Sequence, residues 1–310
     1  MRIAITGGTG FVGRHLAAEL NPADTVIVSR RTGVDIDDVD GLAAAFAECD
    51  AVVHTAGINR EIGDQTYQRV HIEGTRAVVE AAQRAGVKRL VMVSFLRARP
   101  DCGSGYHESK WAAEELIRNS GIDHTVLKAS LMYGRGDHMV DHVTRAVKTW
   151  PVFGTVGFHQ PTVRPIPIAD FVAVLRAALD GRIPESTVAV VGAEELPLRE
   201  AVQRIARVAG RSPLLIALPV WSIKALAQVT EWLMVVPLVA KSQARMLAEG
   251  VSVPSPAAPE APLDIRPAQP FSDELIRAAL PDAGRFGRAD LRATRWCAAQ
   301  RDHQRSNTLA

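Results

Sequence analysis

The sequence predicts a doubly wound α/β sheet, on three observations. Short, nearly continuous apolar runs recur through the first half of the chain, amphipathic helical stretches alternate with them, and the first run ends in a cluster of glycines. Strands covered on both faces lose the polar–apolar alternation of a half-exposed sheet, and parallel strands need helical crossovers. The 310 residues are 47% hydrophobic and 23% charged, so the chain has the material for a buried core. A length of this kind fits about two domains.

The runs 3–6, 25–29, 51–55, 89–94 and 125–128 read as the buried strands. Residues 12–20, 39–48, 65–84 and 106–119 carry the helical period between them. Gly86 and Gly121 stand just past two of these stretches as C-terminal stops. Beyond Tyr133 the regularity weakens, and residues 134–165, with four glycines and three prolines, read as a loop-rich insertion. Residues 168–179 read as a helix returning to the sheet, 187–191 as a further strand, and 198–209 and 220–233 as helices. Six prolines between 254 and 270 read as a linker, followed by a short helix at 272–280 and an arginine-rich tail.

The first strand runs into Gly7-Gly8-Thr9-Gly10-Phe11-Val12-Gly13, and a helix begins at once. Glycine lets the chain turn tightly and lets backbone N–H groups approach a pyrophosphate, which then faces the positive end of the helix. A glycine triplet alone is a weak signal. Between a strand and a helix it reads as a dinucleotide site, with a purely structural turn as the other reading. Gly7, Thr9, Gly10, Phe11 and Val12 are the candidate contacts, and Gly13 permits close packing of helix on strand.

The end of the second strand selects the nucleotide. An acid there binds the ribose 2′-OH of NAD, whereas an arginine accommodates the 2′-phosphate of NADP. This strand ends Val28-Ser29-Arg30-Arg31, with no acid before Asp35. A guanidinium fork matches phosphate geometry and Ser29 adds a hydroxyl donor, so NADP(H) is favoured over NAD(H). Solvated loop arginines are the other reading.

Only three tyrosines and six lysines occur, yet Tyr106 and Lys110 stand four residues apart in Tyr106-His107-Glu108-Ser109-Lys110. At that spacing both side chains share one helix face. A nearby ammonium favours phenolate, which makes Tyr106 a candidate general acid/base and Lys110 its electrostatic partner. A half-buried tyrosine beside a solvated lysine is the other reading.

These features, with Asp50-Ala51-Val52-Val53-His54 and the segment Gly74-Thr75-Arg76-Ala77-Val78-Val79-Glu80-Ala81-Ala82, resemble the extended and atypical short-chain dehydrogenases/reductases. Within them the chain is similar to the NAD(P)-binding epimerase/dehydratase-like proteins related to the accessory subunit of respiratory complex I. The resemblance covers residues 1 to about 250 and implies a Rossmann-type sheet with a smaller C-terminal substrate-binding region. It implies that Tyr106 is catalytic and that Lys110 also binds the nicotinamide ribose. It implies that Asp35 and Ile36 lie along the adenine, and that Thr55, Ala56 and Gly57 form the turn under the cofactor. Leu131, in Lys128-Ala129-Ser130-Leu131, stands at the strand end beside the nicotinamide, where the family more often has Arg-Pro.

Two departures from the family pattern matter. The catalytic Ser/Thr position just past the fourth strand falls on Leu96. Ser94, two residues earlier, is carried as the third catalytic candidate, with a cofactor contact as its other role and Ser104 as a second candidate hydroxyl. The asparagine expected before the Glu-Gly-Thr segment is His71, whose imidazole suits a water relay or an ordinary helix position.

Other features carry less. A net charge of +2 without a long single-sign block argues against nucleic acid as a partner. Cys49, Cys102 and Cys297 lie far apart, which fits neither a disulfide framework nor a cysteine zinc site and points to a reducing compartment. No apolar signal segment precedes the first strand, so a cytoplasmic location is expected. The stretch 219–240 contains Lys224, Gln228, Glu231 and Pro237 and fails as a membrane span. Its stripe of Trp221, Ile223, Leu226, Val229 and Leu233 reads as buried core, or as a contact with a membrane surface or a protein partner. Asp137-His138 and Asp141-His142 have a metal-like spacing but no third ligand, and no metal is expected. Arg164 suits either an anionic substrate or a structural salt bridge.

The expected protein is an NAD(P)-dependent short-chain oxidoreductase or epimerase-like enzyme. It acts on a small carbonyl or hydroxyl compound through Tyr106 and Lys110. A non-catalytic NAD(P)-binding sensor or partner-docking protein is the rival reading. Residues 1–133 and 166–192 are expected to form the NAD(P)-binding domain. Residues 134–165 and 193–253 are expected to form the substrate region, and 254–310 a linker and tail. The family resemblance extends to homodimers in some members.

Overall fold

The structure, a computed structural model, describes residues 1–157, 161–219, 221–223, 225, 228, 246–282, 284–287 and 290. The helix expected at 220–233, most of the apolar stretch 219–240, Cys297 and nearly all of the arginine-rich tail lie outside the described residues.

The opening half alternates as expected: β1 (Ile3–Thr6), α1 (Phe11–Ala18), β2 (Thr25–Val28), α2 (Val39–Phe46), β3 (Ala51–His54), α3 (Gly74–Arg84), β4 (Arg89–Phe95), α4 (Gly105–Arg118) and β5 (Asp123–Ala129). There follow β6 (Met132–Tyr133), α5 (His138–Thr149), β7 (Val152–Val156), β8 (Thr162–Val163), β9 (Ile166–Pro167), α6 (Ile168–Leu179) and β10 (Thr187–Val190). Then come β11 (Leu196–Pro197), α7 (Leu198–Val208), β12 (Leu214–Leu218) and α8 (Asp273–Ala279). The long strands join one six-stranded sheet in the order β10-β5-β4-β3-β1-β2, and every neighbouring pair is parallel.

The period of two along each strand divides the core between the two faces. Ile3, Ile5, Val53, Val91, Val93 and Leu127 bury against one face, which α1 and α6 cover. Ala4, Val52, Leu90, Met92 and Val126 bury against the other, beneath α2, α3 and α4. Both sets are apolar because both faces are covered, which is why the strands read as unbroken hydrophobic runs.

The described chain divides into two compact units. The first comprises residues 1–134, 162–196 and 251–272, and contains the six-stranded sheet. The proline-rich segment expected as a linker belongs to it. The amide of Ala189 donates to Pro259 O (2.7 Å) and the amide of Ala261 to Ala189 O (3.0 Å), so 259–261 runs along the free edge of β10. Proline lacks a donor, but its carbonyl still accepts, and an edge tolerates it. Arg164 is held within this unit by Glu260 (2.7 Å) and the carbonyl of Gly192 (2.8 Å), the structural salt bridge of the two readings.

The second unit comprises 135–161, 197–250 and 273–310. Its described part packs α5 and α8 on α7 and pairs β7 with β12 in parallel. The region read as a loop-rich insertion thus holds a twelve-residue helix, α5. Its start is fixed by Asp137, whose carboxylate accepts the Val140 amide at 2.7 Å. An N-cap satisfies an orphaned helix donor, so this carboxylate has a local structural task.

Candidate active site

The glycine-rich turn is built as a cradle. Gly7 has φ +70°, and its amide donates to Val28 O at 2.9 Å. A Cβ on Gly7 would lie 2.7 Å from Ala56, and one on Gly13 would lie 2.5 Å from the Gly7 carbonyl. Only hydrogen fits at either place. The N-terminus of α1 receives no side-chain cap at Gly10, so its first amides, with the positive end of the helix, remain available to an anion. These features fit a dinucleotide pyrophosphate. Thr55 seals the neighbouring strand end, its hydroxyl donating to Thr6 O at 2.7 Å, and Ala56 and Gly57 follow beside the turn. Leu131 stands past the end of β5, where its carbonyl accepts the Ile166 amide (2.8 Å).

After β2 the chain makes one short turn, Arg30–Thr32, closed by a reciprocal capping box between Ser29 and Thr32. Arg30 and Arg31 are exposed, and among the described residues neither joins an ion pair. Asp35 accepts the Ile36 amide at 2.8 Å and meets Arg69 at 2.9 Å.

The opposite end of the site gathers around α4. Tyr106 and Lys110 lie one turn apart on this helix, and Lys110 Nζ donates to Val93 O at 3.3 Å. The same Nζ would lie 3.1 Å from a Cβ on Gly57, and His71 Nε2 would lie 3.5 Å from it. Burial pulls the Lys110 ammonium down to about 8, against the opposing pull of Glu114. Tyr106 is half-buried among Tyr67, His71, Phe95 and His107, with ring centroids 5.3–5.9 Å away. Burial, and then the neighbouring Tyr67, push its phenol above the ordinary tyrosine range. The expected depression by Lys110 is therefore absent in the chain by itself: desolvation of the phenolate, the largest cause, sets the direction.

His71 belongs to a single π-helical segment, Gln68–Glu73, a local widening that recurs at functional sites. Its Nε2 accepts the Ile58 amide at 3.1 Å, so Nδ1 carries the proton and donates to Ser109 Oγ at 2.8 Å. Ser109 in turn donates to the Tyr106 carbonyl at 3.1 Å. Both ring nitrogens are engaged, so His71 braces the loop after β3 against the first turn of α4 and is not free to carry a water relay. Burial, then Lys110, hold it neutral, its pKa well below the usual histidine range. His54, at the end of β3, is likewise buried between Thr6 (2.7 Å) and Thr75 (3.0 Å), its pKa pulled down to about 3 by burial and then Lys110.

Ser94 has another partner than the one expected. Its hydroxyl donates to Glu114 Oε1 at 2.5 Å, and Lys128 Nζ (3.0 Å) and Arg118 Nη2 (2.7 Å) meet the same carboxylate. The strand period explains this: Ser94 and Lys128 are register partners on the face that α4 covers. Leu96, at the family's hydroxyl position, is fully buried. Sequence reasoning missed Tyr67, Ser109, Glu114 and Arg69. Only Tyr67, one of three tyrosines, carried a compositional signal; the others are ordinary helix residues until the fold aims them.

Residues 29–148 match the NAD(P)H-binding family. The chain is 32% identical over 151 residues to the ceramide reductase of Caulobacter vibrioides, covering 44% of this chain and 47% of that protein. It thus spans about half the length of that relative. It is 33% identical over 165 residues to the UPF0659 protein YMR090W of Saccharomyces cerevisiae, covering 44% of this chain and 72% of that protein. Among solved structures, UDP-glucuronic acid 4-epimerase of Bacillus cereus in complex with NAD superposes with a TM-score of 0.63 at 19% identity. That superposition covers 90% of this chain and 97% of that one, a likeness of fold.

Proposed function

This chain belongs to the NAD(P)-binding epimerases and reductases of the extended and atypical short-chain dehydrogenase/reductase family, and from that premise we propose that it is an oxidoreductase or epimerase-like enzyme acting on a small carbonyl or hydroxyl compound, with NADP(H) as its preferred nucleotide. The observation that carries the reading is Tyr106. Its hydroxyl makes no hydrogen bond among the described residues, one helical turn from the buried Lys110 and at the same sheet end as the glycine cradle. A buried cation beside a phenol is costly unless it serves an anion or a developing charge.

In this reading Gly7, Thr9, Gly10, Phe11 and Val12 hold the pyrophosphate, Ser29, Arg30 and Arg31 the 2′-phosphate, and Asp35 and Ile36 the adenine. Thr55, Ala56 and Gly57 form the turn under the cofactor and Leu131 stands beside the nicotinamide, which when bound would supply or accept a hydride at C4. Tyr106 Oη gives a proton to the substrate oxygen as it gains charge, or takes it in the opposite direction. Lys110 stabilises the resulting phenolate and hydrogen-bonds the ribose. Ser109 and His71 fix the backbone of Tyr106, so its hydroxyl is aimed before substrate arrives.

Calorimetric titration with NADPH and NADH, followed by a screen of carbonyl substrates, tests the proposal. Binding of NADPH in preference to NADH, with turnover lost in Tyr106→Phe, is expected; no heat with either nucleotide overturns it. A non-catalytic nucleotide-binding protein is favoured by one observation: buried Leu96 stands where the family needs a free hydroxyl, and the nearby Ser94 is engaged with Glu114. Under that reading the bound nucleotide raises thermal stability but changes redox state with no carbonyl compound.

A further inference from the structure

The π-helical segment that aims His71 at α4 also aims Arg69 the other way, towards the adenosine end of the proposed site. Three nitrogens of its guanidinium each meet a different carboxylate: Nη2 with Asp35 (2.9 Å), Nε with Asp37 (2.7 Å) and Nη1 with Asp64 (2.7 Å). These carboxylates come from two loops, the one after β2 and the one after β3. The fork therefore ties both loops together and leaves the segment 35–37 little freedom. Ile36 is fixed in the same way, with its amide on Asp35 and its side chain against Gly74, where a Cβ would lie 2.8 Å from Cγ1. Arg69 holds the Asp37 carboxyl below the usual carboxylate range. Lysine, a point charge without a planar fork, has no such geometry to offer three acids at once.

The consequence concerns charge. The loop after β2 carries Arg30 and Arg31 exposed and outside any ion pair among the described residues, and four residues later the first of the acids. A ribose 2′-phosphate adds about two negative charges there, as a phosphate monoester does near neutral pH. Unneutralised carboxylates in the same loop would repel it and draw Arg30 and Arg31 away. We propose that Arg69 is a specificity-determining residue for the dinucleotide: by tying down Asp35, Asp37 and Asp64 and offsetting one of their three negative charges it leaves Arg30 and Arg31 to receive the 2′-phosphate of NADP(H). The inference rests on the dinucleotide reading above and goes beyond it by naming a residue that acts on the choice of nucleotide from outside the loop.

The test measures dissociation constants of NADPH and NADH by fluorescence titration at low and high salt. It compares the unaltered 310-residue chain with Arg69→Met, Arg69→Lys and Asp64→Asn. Arg69→Met is expected to weaken NADPH about tenfold and NADH less than about threefold, the gap closing at high salt where exposed charges are screened. Arg69→Lys restores most of the NADPH:NADH ratio at low salt while weakening both nucleotides. Asp64→Asn alters an exposed side chain outside the nucleotide contacts, so it keeps the test alive if the arginine variants fold poorly. It is expected to tighten NADPH about twofold at low salt with no change for NADH. Equal weakening of both nucleotides in Arg69→Met, or an unmoved ratio in Asp64→Asn, makes Arg69 a loop brace and overturns the inference while leaving the dinucleotide reading intact. A wild-type protein that prefers NADH also overturns it. Binding of neither nucleotide sinks both.

Discussion

Two polar clusters lie on the same helix, one turn apart, and they are built on opposite terms. Around Glu114 everything is closed: Ser94, Lys128 and Arg118 converge on one carboxylate, and Lys128 also donates to Ala98 O at 2.8 Å. Around Lys110 the balance is open, since its ammonium has a single carbonyl partner and Tyr106 Oη has none among the described residues. A buried charge that is fully paired belongs to the fold, and removing its partner costs stability. A buried charge left short of partners is a cost that folding alone does not explain, and such imbalance clusters at sites that act. Ser94 and Tyr106 look alike in sequence as candidate proton donors; their surroundings separate them.

The comparison breaks most readily at Tyr106. Tyr106→Phe is expected to lower turnover about 10²–10⁴-fold on any carbonyl substrate found, with little change in NADPH affinity. Ser94→Ala is expected to leave turnover within a few-fold and to show instead as a lower melting temperature; equal losses from the two variants would erase the distinction. Glu114→Gln comes next. Leaving Lys128 buried without its counter-charge is expected to cost about 3–5 kcal/mol in denaturant unfolding.

Lys110→Met is predicted to have the opposite sign. In the nucleotide-free protein the folded state releases the Lys110 proton near pH 8, whereas the unfolded chain holds it to its ordinary value of 10.5. Wild-type stability therefore rises with pH between those values, and below pH 8 the ammonium is a constant penalty. Replacing it with methionine is expected to stabilise the nucleotide-free protein by about 3 kcal/mol at pH 7, the gain shrinking as pH rises towards 10.5, while nucleotide binding weakens. Thermal melts of both proteins across that range check the sign.

The smallest effect is at His54, whose folded value of about 3 lies below its ordinary 6.5. Unfolding takes up a proton between those values, so wild-type stability falls as pH drops through that window. His54→Asn is expected to remove about 2 kcal/mol of that loss at pH 5, read as a shallower acid limb in melting temperature.

Much of the sheet was legible because its signals are local. Apolar runs buried on both faces, the glycines of the first turn and the Tyr106–Lys110 spacing each follow from a few consecutive residues. Three features were not. Residues 134–165 read as loop because their glycines and prolines outweighed the helical period of α5, whose start depends on the Asp137 cap. Residues 254–270 read as linker because proline density signals the absence of a helix, but does not reveal that a carbonyl at 259 finds the free edge of β10. The lowered tyrosine pKa was inferred from a charge four residues away, without the burial that reverses it.

By itself the sequence determined the parallel sheet, the strand–glycine–helix order of the first turn and the four-residue spacing of Tyr106 and Lys110 on one helix, since periodicity and glycine placement act over one or two turns. Tertiary structure alone decided which candidates meet an open site and which are closed off. Ser94 and Lys128 lie 34 positions apart and meet Glu114 only because β4 and β5 pair in one register beneath α4. Desolvation and counter-charges, the terms that set their chemistry, come from neighbours distant in sequence.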